Sequence, residues 1–531
     1  MRNFNFRAVL GRALLALLLI TAASVGFADE PKRGGTLTMA LSSEPTALVG
    51  LLTSAIDTYF ISGKVTEGLV TYDWNFNLKP ALAESWEVSP DGKQITFHLR
   101  EGVKWHDGAD FTAKDVKFSI EVLKARHPRG RITFANVQQI ETPDDHTVVL
   151  KLSKPAPYLM TALAGPESPI VPEHIYAGTD FATNKNNIAP IGTGPFKFTE
   201  WKKGSFVILE RNENYWQKGK PYLDRIVIRF IADAAARAVA MESGEVQLEP
   251  GSPVSFYDVE RLSKLPNIGV ERRGDEYGSI VARLEFNLEN KYLKNVDVRR
   301  AIAHAIDKEF IRKNIWFGFA EATASAVSPN LKRFYTTNVP NYPYDPKEAD
   351  RLLDQAGFPR GSNGIRFTLT HDYLPVADTF RRTAEYIKQA LKKVGIEVVI
   401  RGEDFPSYVR RIYSERDFDF SNNWMNDTPD PTLGVQRLYW SKNFTRGVPF
   451  SNGSAYSNPE MDALLEAAQV ENDPEKRAEF WRKVAYLEMT DLPDLPLVAV
   501  NRLTLYNKQV HAHTESPLGS ADSLADTWVG N

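Results

Sequence analysis

Apolar and polar residues alternate with a period of two through Thr36-Leu37-Thr38-Met39-Ala40-Leu41, which predicts a first strand. From Leu82 to Phe118 the pattern is one of turns and short strands. Pro90-Asp91-Gly92 supplies turn chemistry, and Ile95, Phe97 and Leu99 then alternate with Thr96, His98 and Arg100 as a half-buried strand. Further strands are predicted at Phe206 to Leu209 and Ile226 to Ile231, with Gly192-Thr193-Gly194-Pro195 as a turn before them. The second half changes period. Val298, Ala301, Ile302, Ala305 and Ile306 form one apolar helix face. Asp345 reads as the N-cap of the next helix, with Pro346 first, Glu348 third, Ala349, Leu352, Leu353 and Ala356 facing inward, and Gly357 as the stop. A third helix carries Phe380, Ile387, Leu391 and Val394, ends near Gly395 and feeds a strand at Ile396 to Ile400. Helix followed by strand predicts α/β packing. There is no internal repeat and no low-complexity tract.

The first residues follow another pattern. Arg2, Arg7 and Arg12 precede and enter the apolar run Ala13 to Ile20, and small residues lead to Gly26-Phe27-Ala28 before Asp29. A basic segment, a short apolar run and a small-x-small site predict a secretory signal peptide over 1–28. The run is shorter than the roughly 20 residues a membrane span needs. Its removal takes away three arginines and no acid, so the net charge moves from −3 to −6. At roughly 150 residues per domain, the remainder makes about three lobes. The slightly acidic, mixed surface argues against nucleic acid as a partner, which needs a basic stripe. The chain has no cysteine. Asp29 stands where a bacterial lipoprotein carries its lipid-anchored cysteine, so the expectation is a freely diffusing periplasmic monomer whose stability comes from its core.

Several chemistries find no signal. Of the nine histidines only His511 and His513 are close in sequence, and they read as a solvated pair, since a zinc site needs three or four converging ligands. H-E-x-x-H and G-x-S-x-G are absent. Gly192-Thr193-Gly194 lacks a third glycine and runs into Pro195, which weighs against a phosphate loop. Thiol catalysis is excluded by composition. Neither a metal nor a cofactor is expected.

Asn423-Trp424-Met425-Asn426-Asp427-Thr428-Pro429-Asp430-Pro431 carries the most specific signal. Asp430-Pro431 reads as a helix start, a capping acid followed by proline, with Leu433 and Leu438 facing inward. Asp427 has no such task. It follows Trp424 in a loop leaving the strand-like Phe418 to Asn422, and its local sequence suits a turn as well as a binding role.

These blocks resemble the bacterial extracytoplasmic solute-binding proteins of the dipeptide, oligopeptide and nickel type. Matching segments run along nearly the whole mature chain: Leu82-Ala83-Glu84-Ser85-Trp86, Val103 to Gly108, Phe111 to Val116, Gly192 to Phe196, Arg211 to Trp216, Asp297 to Ala301, Tyr344 to Ala349, Tyr456 to Glu460 and Leu495 to Leu497. In order they are specific for the family, though not for a ligand. The resemblance implies an α/β fold like the type II periplasmic binding proteins: two α/β lobes joined by a hinge, plus an inserted third lobe. Residues 29–70, 192–283 and 496–531 would form the first lobe, 71–191 the insertion and 284–495 the second, ligand-gripping lobe. The chain would cross the hinge near Arg283-Leu284-Glu285 and near Val498-Ala499-Val500.

In peptide-binding members, the acid three residues after the block's tryptophan pairs with the ligand's α-amino group; here that acid is Asp427, after Trp424. A buried carboxylate selects a cation, because left alone it is costly. Asn426 belongs to the same block. Phe405 aligns with a pocket tryptophan of dipeptide binders and equally suits core packing. Ser43 and Glu44, after the first strand, are candidates for the cleft border. The arginine that grips the ligand's carboxylate in dipeptide binders aligns near Leu374, and Leu374-Pro375 has no charge; Arg381 and Arg382 read as an exposed helix face. The implied function is capture of a peptide or other amino-bearing solute by lobe closure and delivery to an ABC permease in the inner membrane. The alternatives are an opine-like compound, an oligosaccharide or a nickel complex on the same fold, and a periplasmic amidase or peptidase.

Overall fold

The computed structural model describes residues 30–251, 254–426 and 428–530; the expected signal peptide and Asp427 lie outside them. Three larger sheets organise the chain. A seven-stranded sheet has the order Ile268–Glu271, Thr504–Asn507, Leu248–Glu249, Thr36–Leu41, Arg225–Phe230, Phe206–Arg211 and Phe196–Lys202. A five-stranded sheet runs Ile396–Arg401, Phe367–Tyr373, Phe420–Asn426, Ile280–Phe286 and Asp494–Val500. A four-stranded antiparallel sheet lies between them in sequence, in the order Ala83–Val88, Gln94–Leu99, Thr147–Leu152 and Val137–Asp144.

The periodicities translate into these elements. Ile95, Phe97 and Leu99 are buried in the four-stranded sheet. The helix Val296–Ala305 buries the apolar face read from its spacing, and Ile306 is buried just beyond its end. Asp345 caps Pro346–Gln355 by accepting from the Lys347 and Glu348 amides at 3.0 and 3.1 Å, and Gly357 takes the left-handed conformation that ends it. Asp378–Lys393 covers the five-stranded sheet through Phe380, Ile387 and Leu391. Gly192 and Gly194 have a reason beyond turn chemistry: a Cβ on Gly192 would stand 1.8 Å from the Val65 carbonyl oxygen, so only a bare backbone fits there.

Two expectations need correction. His511 and His513 are not a solvated pair. His511 stacks on Trp528 with centroids 3.9 Å apart, and His513 is buried against Tyr506 at 4.2 Å, its pKa pushed down to about 4 by burial. The crossing points expected at 283–285 and 498–500 lie inside strands of the five-stranded sheet. The chain passes between the seven- and five-stranded sheets through 272–279 and 501–503.

The two strands next to those passages hold a buried ionic cluster. Arg283 donates to Asn423 Oδ1 at 3.0 Å, to Glu285 Oε1 at 3.1 Å and to Asp494. Glu285 Oε2 accepts from Asn423 Nδ2 at 2.8 Å, and Asp494 accepts from Tyr439 at 3.0 Å. Burial alone would lower the Arg283 pKa, but the carboxylates of Glu285 and Asp494 outweigh it and raise it. A second pair ties the long helix Pro474–Asp491 to the segment that follows the Trp424 strand. Arg477 grips both oxygens of Asp430 at 2.6 Å, while Asp430 caps Pro431–Gly434 by accepting from Thr432 N at 2.9 Å. Taking one partner from a buried pair leaves the other charge stranded. Arg283→Met and Arg477→Ala are therefore each expected to lower the unfolding free energy by about 3–5 kcal/mol in urea denaturation. A loss under about 1 kcal/mol for either would show that its cluster adds little to stability.

Candidate functional site

Strand register places the Trp424 block at the edge of the five-stranded sheet that faces the seven-stranded one. Asn426, the last residue of its strand, is paired with Ile280, and Ile280 with Val500. Ile280 is the first residue after one passage and Val500 the last before the other. Phe420–Asn426 is parallel to Phe367–Tyr373, so the block lies at a carboxyl edge, where open α/β sheets bind ligands. The strand runs four residues beyond the segment Phe418 to Asn422 that the sequence suggested.

Trp424 and Asn426 are two apart on this strand and share a face. The Trp424 ring meets Phe380 edge-on with centroids 5.3 Å apart and is half-buried. Asn426 Oδ1 is buried and accepts no hydrogen bond among the described residues. Buried acceptors in native structures are usually paired. Asp427, the next residue, lies outside the described residues.

The remaining sequence candidates are dispersed. Phe405 begins the helix Phe405–Val409, is 44% exposed, and stacks on Phe450 at 6.3 Å. Ser43 donates to Asp57 at 2.5 Å. Glu44 accepts from Trp201 Nε1 at 2.7 Å and Gly204 N at 3.0 Å, which commits its carboxylate to the hairpin of Phe196–Lys202 and Phe206–Arg211. No described hydrogen bond or ring contact joins these three to Trp424. Leu374 is 1% exposed in the core of the five-stranded sheet, and Arg381 and Arg382 are exposed and paired with Asp378.

The opposite wall holds groups that the sequence reading did not find. Phe256, on the helix Phe256–Leu262, stacks on Phe319 at 5.5 Å and meets Trp316 at 5.4 Å. Trp316 meets Phe380 at 6.3 Å, and Phe380 meets Trp424. A chain of aromatic rings thus runs from the Trp424 strand to a helix packed on the seven-stranded sheet. Just before that helix in sequence, Glu249 is fully buried with neither oxygen hydrogen-bonded. Burial pushes its pKa up to about 8, and the charge of Arg237 opposes the rise. Periodicity gives no hint of it, because its strand, Leu248–Glu249, has two residues and runs into Pro250-Gly251.

A cavity of about 700 Å³ opens beside the far end of the block. Pro429, Asp430 and Arg477 line it from one side with Leu331 and Phe334, and Phe76, Trp86, Ile95 and Met160 from the side of the four-stranded sheet. Lys332 and Arg333 also line it and are exposed. Among the described residues, no three His, Cys, Asp or Glu side chains gather as a metal site.

The family model for bacterial extracellular solute-binding proteins, family 5, middle region, matches residues 77–446. The glutathione-binding protein GsiB of Shigella dysenteriae is 28% identical over 516 residues, covering 95% of this chain and 96% of its own. The periplasmic binding protein DppA of Helicobacter pylori, solved in complex with the peptide STSA, superposes with a TM-score of 0.77 at 28% identity, covering 94% of this chain and 99% of its own. NikZ of Campylobacter jejuni, solved with Ni(L-His), gives a TM-score of 0.78 at 26% identity over 92% of this chain and 97% of its own. The fold is that of the type II periplasmic binding proteins, and the chain belongs to the family 5 solute-binding proteins of ABC importers.

Proposed function

We propose that this protein captures a peptide, or another solute with a free amino group, between two lobes and hands it to an ABC permease. The lobes are those built on the seven- and five-stranded sheets, with the four-stranded sheet as an insertion. Asp427 is the ammonium anchor, and Trp424, three residues before it in sequence, is the aromatic of the same site. One observation carries the reading: the strand leading to Asp427 ends at the inter-sheet crevice with a buried, unpartnered acceptor, Asn426 Oδ1, on its last residue. A ligand amine would supply the missing donor there and the counter-charge for the acid. The glutathione-binding relative and the peptide-bound neighbour support the same chemistry, since a peptide carries a free amine.

The ligand is longer than a dipeptide in this reading. Leu374 is packed in the core, so the position that grips the carboxylate of a dipeptide has nothing to offer. The cavity beyond Pro429 and Asp430 has room for further residues, and the exposed Lys332 and Arg333 among its lining residues are cations for a distant carboxylate. Closure follows from differential affinity: the closed state binds better because both walls then touch the solute. The export signal, the periplasmic location and the monomeric state belong to the same proposal. The relatives compared are named as binding proteins, and no catalytic step is assigned.

The test is Asp427→Ala, titrated calorimetrically with an equimolar mixture of free di- to pentapeptides. Removing one partner of a desolvated charge pair costs at least about 30-fold in affinity. The variant is expected to lose at least that much and to keep the wild-type circular dichroism spectrum. Wild-type affinity would remove Asp427 from the site.

A further inference from the structure

Glu249 is the least satisfied ionisable group in the described structure. Both of its oxygens are buried and unbonded, and an ionised carboxylate in that state is unfavourable unless a cation joins it. Its place in the fold is informative. The strands Thr36–Leu41, Arg225–Phe230 and Leu248–Glu249 are parallel through the central one, so Glu249 lies at their shared carboxyl edge. It is paired with Leu505, and Thr504, the residue before, is four residues from Val500 and so next to the passage into the five-stranded sheet. The edge bearing Glu249 therefore borders the same crevice as Asn426. The aromatic chain from Trp424 to Phe256 ties the helix after Glu249 to that crevice.

The charged neighbours leave Glu249 unpaired. Arg237 donates through Nη1 to the carbonyl oxygens of Ile231 and Ala232 at 2.5 and 2.8 Å, not to Glu249. Asp57, whose charge also interacts with that of Arg237, is bonded to Ser43. Arg502 is bonded to Asp275 at 2.9 Å.

We propose that Glu249 is a second cation-binding residue, on the wall opposite Asn426, and that the cargo carries a second positive group, an ammonium or guanidinium, which it receives. The proposal rests on the reading above for where the cargo lies, and it narrows the class to cationic solutes such as peptides with a basic side chain. The two walls then act in series. The amine terminus meets the block at Asn426, the basic side chain meets Glu249, and a ligand with both groups bridges the crevice.

The experiment titrates wild type and Glu249→Gln, in the full mature chain, with Ala-Lys-Ala and Ala-Arg-Ala, with the neutral counterparts Ala-norleucine-Ala and Ala-citrulline-Ala, and with agmatine and spermidine. Wild type is expected to favour the cationic peptides by at least about tenfold, and Glu249→Gln to lose that preference while keeping the neutral affinity, as removal of a charge-pair partner requires. Glu249→Met, of similar volume, should give the same loss and guards against an effect peculiar to the amide. An equal preference in wild type and both variants, no preference in wild type, or no binding of any cationic probe would overturn the proposal. Neutral and cationic peptides bound alike would leave peptide capture standing and Glu249 refuted. Amines bound through Glu249 with no peptide bound would do the reverse.

Discussion

Arg283 holds together the strands that carry the Trp424 block to the edge facing the seven-stranded sheet. It belongs to Ile280–Phe286, the strand between the Trp424 strand and Asp494–Val500, and it bonds a side chain on each of them, Asn423 on one and Asp494 on the other. Both flanking contacts are made in a buried setting, where an ionic group tolerates little displacement without losing its partners. These strands also border the two passages to the other large sheet. The register Asn426 opposite Ile280 opposite Val500 is therefore fixed beside the two segments that pass to the seven-stranded sheet.

The site has a consistent character once that edge is fixed. The rings of Trp424, Phe380, Trp316 and Phe256 pack in a continuous chain across the two halves, and Asn426 Oδ1 and both oxygens of Glu249 are acceptors without partners among the described residues. A buried carboxylate without a partner favours a cationic guest by ion pairing. The cavity beyond Asp430 adds length to the space available, and the Arg477 grip on Asp430 keeps its wall in place. The relatives bind chemically different cargo, as their names state, on the same scaffold.

Local patterns carried much of the fold. Alternation identified Thr36–Leu41 and Gln94–Leu99, and the 3.6-residue period with its caps identified Val296–Ala305, Pro346–Gln355 and Asp378–Lys393. Asp430 was legible as a cap because a cap acts within three residues. Its grip by Arg477, 47 residues on, was not, nor was the Arg283–Asp494 pair, 211 residues apart, because no local periodicity encodes which buried charges meet. Glu249 was invisible for a related reason: a two-residue strand has no period, and its importance comes from what fails to contact it. His511 and His513 misled because spacing alone cannot tell solvent from the rings of Trp528 and Tyr506. The binding block was readable only as a resemblance, since Asn-Asp-Thr-Pro makes an equally good turn.

The central claim is that the crevice recognises a free amine. The most direct measurement is calorimetric titration of the wild-type mature protein with one peptide library in two forms, free and N-acetylated at the same concentrations. Acetylation removes the charge and leaves nearly everything else unchanged. The account predicts tight binding by the free library and a loss of at least about 30-fold on acetylation. Equal affinity for the two forms would contradict it.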